Sequence, residues 1–386
     1  MNLEQTLIQK LEQIKQHNLY RQLRTLSAAQ EKNTVIDGKE ILLFSSNNYL
    51  GLSNLVPIKE TAIAAVQKYG IGSGGSRLTT GNYDLHENLE AALAVFKKRD
   101  AAVLFNCGYM ANVGTLSALC SDEETVIFSD ALNHASIIDG CRLSKAKTVI
   151  YAHNDISDLK AKIESVRPKK GLIVTDSVFS MDGDIANLPD IVQLAKENRL
   201  AVMTDDAHAL GVLGKTGRGI AEHFGMSASD IDVMMGTLSK AVSSEGGFVC
   251  GSKNLCDYLK NTARSFIFST SLSPASVASS AGALEYIDAH PERVEQLRDT
   301  ITYLNQSLNR LGIESKSETA IIPVIIGSEE KALDVFRRLF EMGIFVPCIR
   351  YPTVKRGEAR LRITLMATHT RSDIDYLVEC LGRIVN

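Results

Sequence analysis

No Cys-x-x-Cys pair occurs in this chain of 386 residues, and its cysteines, at positions 107, 120, 141, 250, 256, 348 and 380, are odd in number and scattered. That spacing argues against a disulfide framework or a zinc site. It fits a reducing, cytoplasmic setting in which most of these thiols are small buried hydrophobes. An excess of charge is also missing: the formal net charge is −3, which leaves no basic face for nucleic acid. No uninterrupted apolar run is long enough to span a bilayer, so no membrane partner is expected. The opening residues are charged throughout and lack a signal-peptide core. Internal repeats and low-complexity tracts are absent. What remains is ordinarily globular, 45% hydrophobic and 23% charged, with room for one large domain and a smaller one.

Taken in order, Leu3, Leu7, Leu11 and Ile14 form one stripe of an amphipathic helix. Residues 40–45 read as a strand running into the polar-aromatic turn Ser46-Asn47-Asn48-Tyr49-Leu50-Gly51-Leu52. A helix follows over 57–69, with Pro57 in its first turn and Gly70 past its end. Residues 70–75 match Gly-x-Gly-x-x-Gly literally. That fingerprint needs a strand before it and a helix directly after; here a helix precedes it, so a nicotinamide site is rejected. A flexible loop near an active site and a plain turn both stay open. From Asp84 the pattern is helical, and Asp84 with Glu87 resembles a capping box. Strands at 101–105, 126–129, 149–151, 172–175 and 201–204 alternate with helical stretches. The fold class is therefore α/β, a mostly parallel sheet covered by helices on both faces. Residues 247–251 and 265–268 look strand-like, and a long helical stretch over 273–311 is interrupted at Pro291. Strands at 321–326 and 360–365 and helices at 329–342 and 372–385 then make a small α+β tail. The expected division is an N-terminal helix and arm, 1–50, a large domain, 51–288, and a small C-terminal domain, 289–386.

Four polar sites fall just after predicted strands, where loops above an open sheet carry ligand contacts. Cys107-Gly108-Tyr109 opens a helix whose backbone N–H groups attract a phosphate, though alone it reads as a glycine turn. His134 begins another helix, either as a cap or as a flat ring stacked on a cofactor. Asp205-Asp206-Ala207-His208 is more specific, because consecutive acids at a strand end are costly to bury without a charged partner. A protonated pyridine nitrogen is such a partner; Mg²⁺ ranks second, since no phosphate-loop lysine accompanies the acids. Last comes Gly236-Thr237-Leu238-Ser239-Lys240, an apolar strand ending in a lone lysine. A partly desolvated lysine has a lowered pKa and forms a Schiff base with a carbonyl. Phosphate cradle, stacking ring, nitrogen partner and amine together are the parts of a pyridoxal 5′-phosphate site.

With those residues in place, the chain resembles the α-oxoamine synthases of the fold-type I pyridoxal phosphate enzymes. Long motifs carry the likeness: Gly72-Ser73-Gly74-Gly75-Ser76-Arg77-Leu78, Val178-Phe179-Ser180-Met181-Asp182-Gly183-Asp184, Asp205-Asp206-Ala207-His208 and Arg360-Leu361-Arg362-Ile363-Thr364. The resemblance implies that Lys240 carries the cofactor as a Schiff base and then shuttles protons. It also implies that Asp205 pairs with the ring nitrogen, His208 contacts the ring hydroxyl and His134 stacks over the ring. Gly108, Tyr109 and Thr237 would hold the phosphate, Ser180 would lie beside the cofactor, and Thr270 would reach the phosphate from a second subunit of a homodimer. Arg362 would clamp a carboxylate, with Arg21, Asn47, Ser76 and Thr353 near the substrate cleft. The implied reaction joins L-alanine to a pimeloyl thioester, of CoA or acyl carrier protein, with loss of CO₂ and free thiol. Glycine with acetyl-CoA is the nearer alternative, and a non-catalytic cofactor-binding sensor the more distant one.

One stretch departs from the family pattern. Tyr351 and Lys355-Arg356 stand where a Pro-Pro-Thr-Val-Pro version is expected. The added charge either favours an acidic carrier or the CoA phosphates, or belongs to a solvated loop.

Overall fold

The structure, a computed structural model, describes residues 2–17 and 19–385. The strands, in chain order, begin with β1 (Asn33–Ile36), β2 (Lys39–Leu43), β3 (Ala101–Phe105), β4 (Thr125–Asp130) and β5 (Lys147–Tyr151). They continue with β6 (Lys170–Asp176), β7 (Ala201–Asp205), β8 (Val233–Thr237) and β9 (Gly247–Gly251), and the tail adds β10 (Ile321–Gly327), β11 (Ile344–Phe345), β12 (Cys348–Ile349) and β13 (Ala359–Thr364). Seven of them form the central sheet in the order β3-β9-β8-β7-β6-β4-β5. Pairing is parallel from β8 through β5, and β9 runs antiparallel to both its neighbours.

Period-two alternation sends successive residues of each central strand to opposite sides. In β4, Val126 and Phe128 enter one core cluster while Ile127 enters the other. In β6, Ile173 faces the first and Leu172 and Val174 face the second. Helices cover both clusters, as a parallel sheet requires. The consequence for function lies at the strand ends. Asp130, Asp176, Asp205 and Thr237 terminate β4, β6, β7 and β8, which are neighbours in the sheet. Asp176 and Asp205 are register partners.

Helix boundaries mostly follow the sequence pattern, with two differences. The helix Asp84–Phe96 is not closed by an Asp84–Glu87 box. Instead His86 Nδ1 accepts the Tyr83 N–H at 3.2 Å, and the Asp84 carboxylate takes the Tyr69 hydroxyl. Residues expected as a strand over 265–268 lie in the short helix Arg264–Ile267, which places Phe266 against Phe105. The long helical stretch separates into Pro274–Ala289 and Glu292–Arg310, as Pro291 dictates. In the tail, β10, β13 and β12 make a small antiparallel sheet. Strand β2, read within the arm, pairs in parallel with β11, so that stretch of the arm packs with the tail. The helix Leu3–Gln16 forms, but none of its residues is buried. Among the described residues, no helix is long and apolar enough to cross a membrane.

Below the strand ends lies an ion pair with no exposed surface: Lys97 Nζ sits 2.5 Å from Asp206 Oδ2. Ser177 donates its hydroxyl to the other Asp206 oxygen, and Lys97 also donates to the Arg218 carbonyl. Breaking such a pair from one side leaves a buried charge uncompensated. Lys97→Met is expected to lower stability by roughly 3–5 kcal/mol in denaturant unfolding. Lys97→Met combined with Asp206→Leu should recover part of that loss; an unchanged unfolding midpoint for the single variant would contradict this account.

Candidate active site

A cavity of about 200 Å³ opens above the ends of β6, β7 and β8. Gly108, Tyr109, His134, Ser180, Asp205, His208, Thr237 and Lys240 all line it. Residues spread over more than a hundred positions meet there because the strands that present them are neighbours and end at the same level.

Each wall has its own local cause. The helix Gly108–Leu119 points its N-terminus at the cavity, and Cys107 supplies no side-chain cap, so its first N–H groups are left for an anion. Gly108 packs closely here: a Cβ would stand 3.0 Å from Met235 Cε and 3.2 Å from Thr237 Cβ, so its neighbours would have to shift by a few tenths of an ångström. Thr237 Oγ1 donates to the Gly246 carbonyl at 2.9 Å and lies 2.8 Å from Ser239 Oγ. The Tyr109 side chain turns elsewhere, its hydroxyl donating to Asp139.

Asp205 forms the floor. Its Oδ1 accepts the Ala207 N–H at 2.8 Å and its Oδ2 accepts from Asn112 Nδ2 at 2.7 Å. Asn112 Nδ2 also reaches Ser136 Oγ at 2.8 Å, and that hydroxyl lies 2.7 Å from His134 Nδ1. His134 therefore does cap its helix, through the Ser136 N–H, while the ring stays open to the cavity. Desolvation lowers its pKa below the ordinary histidine value, the Lys240 charge adding to this and the Asp205 charge opposing it. Asn112 Oδ1 is buried without a partner.

Lys240 Nζ lies 2.8 Å from His208 Nε2, and His208 Nδ1 lies 2.6 Å from the Tyr49 hydroxyl. Burial, then the charges of Lys240, Arg362 and His134, hold His208 well below its usual pKa, so its ring is neutral. An ammonium at Lys240 then donates to Nε2, which puts the ring proton on Nδ1. That proton is donated to the Tyr49 oxygen, and the Tyr49 hydroxyl donates on to Asn47 Oδ1 at 3.2 Å. Burial pushes the Tyr49 pKa up to about 12, so the phenol keeps its proton. Burial also pushes Lys240 down to about 8, against the pull of the Asp205 and Asp176 carboxylates.

Arg362, buried on β13, donates through Nε to the Ser180 carbonyl and through Nη1 to Thr364 Oγ1 at 2.8 Å. Other expected residues lie outside the cavity lining. Thr270 is exposed and bridges to Ser76, while Arg21 is exposed in the N-terminal segment. Asn47 enters only through Tyr49, and Thr353 sits on an exposed loop where its N–H meets the Arg350 carbonyl. On that loop two of the departing residues face each other, with the Arg356 guanidinium 4.3 Å from the centre of the Tyr351 ring.

Three residues of the site escape a reading of the sequence alone. Asp176 lines the cavity, accepts the His134 N–H at 2.7 Å, and is held well above the usual carboxylate range by burial and then by the Asp205 charge. Its signal was available, since it ends an apolar strand just as Asp205 does. Asn112 and Tyr49 carry no comparable signal, because their roles are contacts to Asp205 and His208 across 93 and 159 positions of chain. Taken together, the uncapped helix start, the orphaned Asn112 oxygen, the held carboxylate and the low-pKa amine fit a planar phosphorylated aldehyde with a basic ring nitrogen.

The model of the aminotransferase class I and II family matches residues 39–381. The 8-amino-7-oxononanoate synthase of Lysinibacillus sphaericus is 50% identical over 377 residues, covering 97% of this chain and 96% of that protein. The 8-amino-7-oxononanoate synthase 2 of Bacillus subtilis is 47% identical, covering 100% of this chain and 98% of its own. Among solved structures, a serine palmitoyltransferase from S. paucimobilis with a bound PLP–myriocin aldimine superposes with a TM-score of 0.92 at 30% identity, covering 98% of this chain and 96% of that one. The 8-amino-7-oxononanoate synthase of Francisella tularensis gives a TM-score of 0.78 at 30% identity, over 89% of this chain and 98% of that one.

A lysine with its pKa lowered to about 8 loses its proton well before an exposed one, whose value is about 10.4. Its free amine is a minor form at pH 7 and the major form above pH 8. Reductive methylation of the cofactor-free protein, followed by peptide mapping, should therefore label Lys240 with a midpoint near pH 8. A Lys240 profile that coincides with those of the surface lysines would overturn this assignment.

Proposed function

We propose that this chain, which belongs to the aminotransferase class I and II family, has 8-amino-7-oxononanoate synthase activity, in biotin biosynthesis, on the strength of its similarity to the two synthases of that name. The reaction condenses L-alanine with a pimeloyl thioester and releases CO₂ and the free thiol. The observation that carries this reading is the meeting of Lys240, His208, Asp205 and His134 around one cavity, within a chain so similar to those synthases over its whole length. Pyridoxal 5′-phosphate, when bound, supplies an electron sink that stabilises negative charge at the α-carbon of the amino acid.

The lining of the cavity supports the following residues as those that would hold it. The N-terminus of the helix Gly108–Leu119 and the Thr237 hydroxyl would hold its phosphate, Asp205 its ring nitrogen, and His134 and Ser180 would lie against the ring. Asn112 keeps the Asp205 carboxylate oriented, and that carboxylate would favour a proton on the ring nitrogen. Lys240 Nζ takes the proton from the alanine α-carbon and later returns one, a task suited to an amine that titrates near pH 8. Neutral His208 holds that amine in place from one side. Arg362, itself oriented by the Ser180 carbonyl and Thr364, binds the substrate carboxylate. The new carbon–carbon bond forms at the acyl carbon as the carbon–sulfur bond breaks, and the original carboxylate leaves as CO₂.

The exposed Thr270, outside the cavity of its own chain, and the exposed Phe268 beside it support a homodimer in which Thr270 completes the neighbouring site. The carrier of the pimeloyl group, CoA or acyl carrier protein, is a matter for direct comparison.

Thiol release by the pyridoxal phosphate-loaded protein tests the proposal. L-Alanine with pimeloyl-CoA should turn over faster than glycine with acetyl-CoA, and a parallel reaction with pimeloyl-acyl carrier protein identifies the preferred carrier. Preference for glycine and acetyl-CoA would move the enzyme to another reaction of the same cofactor. Lys240→Ala should reduce turnover by about 10²–10⁴-fold or more.

A further inference from the structure

His153 stands just beyond β5, outside the cavity lining, and the proposed reaction has no use for it. Both of its ring nitrogens nevertheless face carboxylates: Nδ1 lies 3.0 Å from Asp130 Oδ1 and Nε2 lies 3.0 Å from Asp184 Oδ2. An ionised carboxylate only accepts, so two such contacts require a proton on each nitrogen and make the ring an imidazolium. Burial opposes that charge, but hydrogen bonds to Asp130 and Asp184 outweigh it and raise the pKa to about 10.

The two carboxylates sit at the end of β4 and in the turn over 177–185, the segments that lead to His134 and carry Ser180 in the cavity lining. Asp130 ends β4, accepts the Leu132 and Asn154 N–H groups at 2.8 Å each, and stands four residues before His134. Asp184 closes the turn over 177–185, in which the Phe179 N–H donates to the Asp184 carbonyl at 3.0 Å. The Phe179 ring meets the His153 ring edge-on, with centroids 4.3 Å apart. The same turn carries Ser180, whose carbonyl orients Arg362, and Asp182, which pairs with Arg360. Asp184 Oδ1 is buried and has no partner, so the hydrogen bonding of that carboxylate rests on His153.

We propose that His153 is a positioning residue, a standing cationic clasp that ties the His134 loop to the Ser180 turn and thereby fixes the Arg362 guanidinium for the substrate carboxylate. This rests on the role given to Arg362 above. Without the clasp, two carboxylates lose their common counter-ion and the turn that carries the Ser180 carbonyl loses one of its ties, with the Asp182–Arg360 pair remaining. Binding of the amino acid then suffers more than turnover of what is bound.

The test uses the cofactor-loaded enzyme and three measurements. His153→Leu should raise the KM for L-alanine by at least about tenfold, with a smaller fall in kcat and little change in the KM of the acyl thioester. His153→Arg, which keeps the charge and two donors, should restore the alanine KM to within a few-fold. Nitrogen-15 NMR of wild-type His153 should show both ring nitrogens protonated at pH 8.5. If His153→Leu does not fold, Asp184→Asn, which keeps the shape and removes one charge, should raise the alanine KM in its place. An unchanged alanine KM in a folded variant, equal defects in the Leu and Arg variants, or a neutral ring at pH 8.5 would each overturn the clasp. Failure of the wild-type enzyme to use alanine would instead overturn the proposed function, and leaves the NMR result as an independent measure of the clasp's charge.

Discussion

Two adjacent carboxylates at the end of β7 meet opposite fates, and the site depends on that separation. Asp206 turns into the interior and is neutralised by Lys97, with Ser177 completing its hydrogen bonding. Asp205 turns to the cavity and is held by neutral donors alone, Asn112 and the Ala207 N–H. Neutral donors orient a carboxylate without cancelling its charge, so Asp205 remains available to a cation above it. Had both acids faced the cavity, their mutual repulsion would have opposed ionisation of each.

The same balance governs the lysine. Enclosure disfavours the ammonium, while Asp205 and Asp176 favour it, and the outcome near pH 8 leaves Lys240 able to hold or release a proton under ordinary conditions. His208 can serve as its neighbour only because it stays neutral, and Tyr49 and Asn47 complete the chain of hydrogen bonds that settles its tautomer. Charge is thus concentrated at the ends of parallel strands, where a fold of this kind leaves a crevice, and each group is tuned by the next strand over.

Local pattern made much of this legible. The alternation of apolar strands and helices disclosed the parallel sheet, because a strand buried on both faces must be a short continuous apolar run. Polar residues directly after those runs disclosed Asp205, Thr237 and His134. The same rule applied once more would have found Asp176. Where the local pattern misled, a tertiary contact had prevailed: residues 265–268 look like a strand, yet they coil so that Phe266 can reach Phe105. At the helix beginning with Asp84, the carboxylate that resembled a cap was drawn to Tyr69 instead.

Residue order by itself determined the fold class, the positions of the strand ends and the chemical kinds gathered there, since these follow from periodicity and from what is costly to bury. Only the tertiary structure decided that Lys97 neutralises Asp206, and that Asn112 and Tyr49 orient Asp205 and His208. It alone joined His153 to two carboxylates from separate segments, the end of β4 and the turn over 177–185. Those outcomes depend on contacts between distant segments, and hydrogen bonds made across the sheet leave no periodic trace in the chain that makes them.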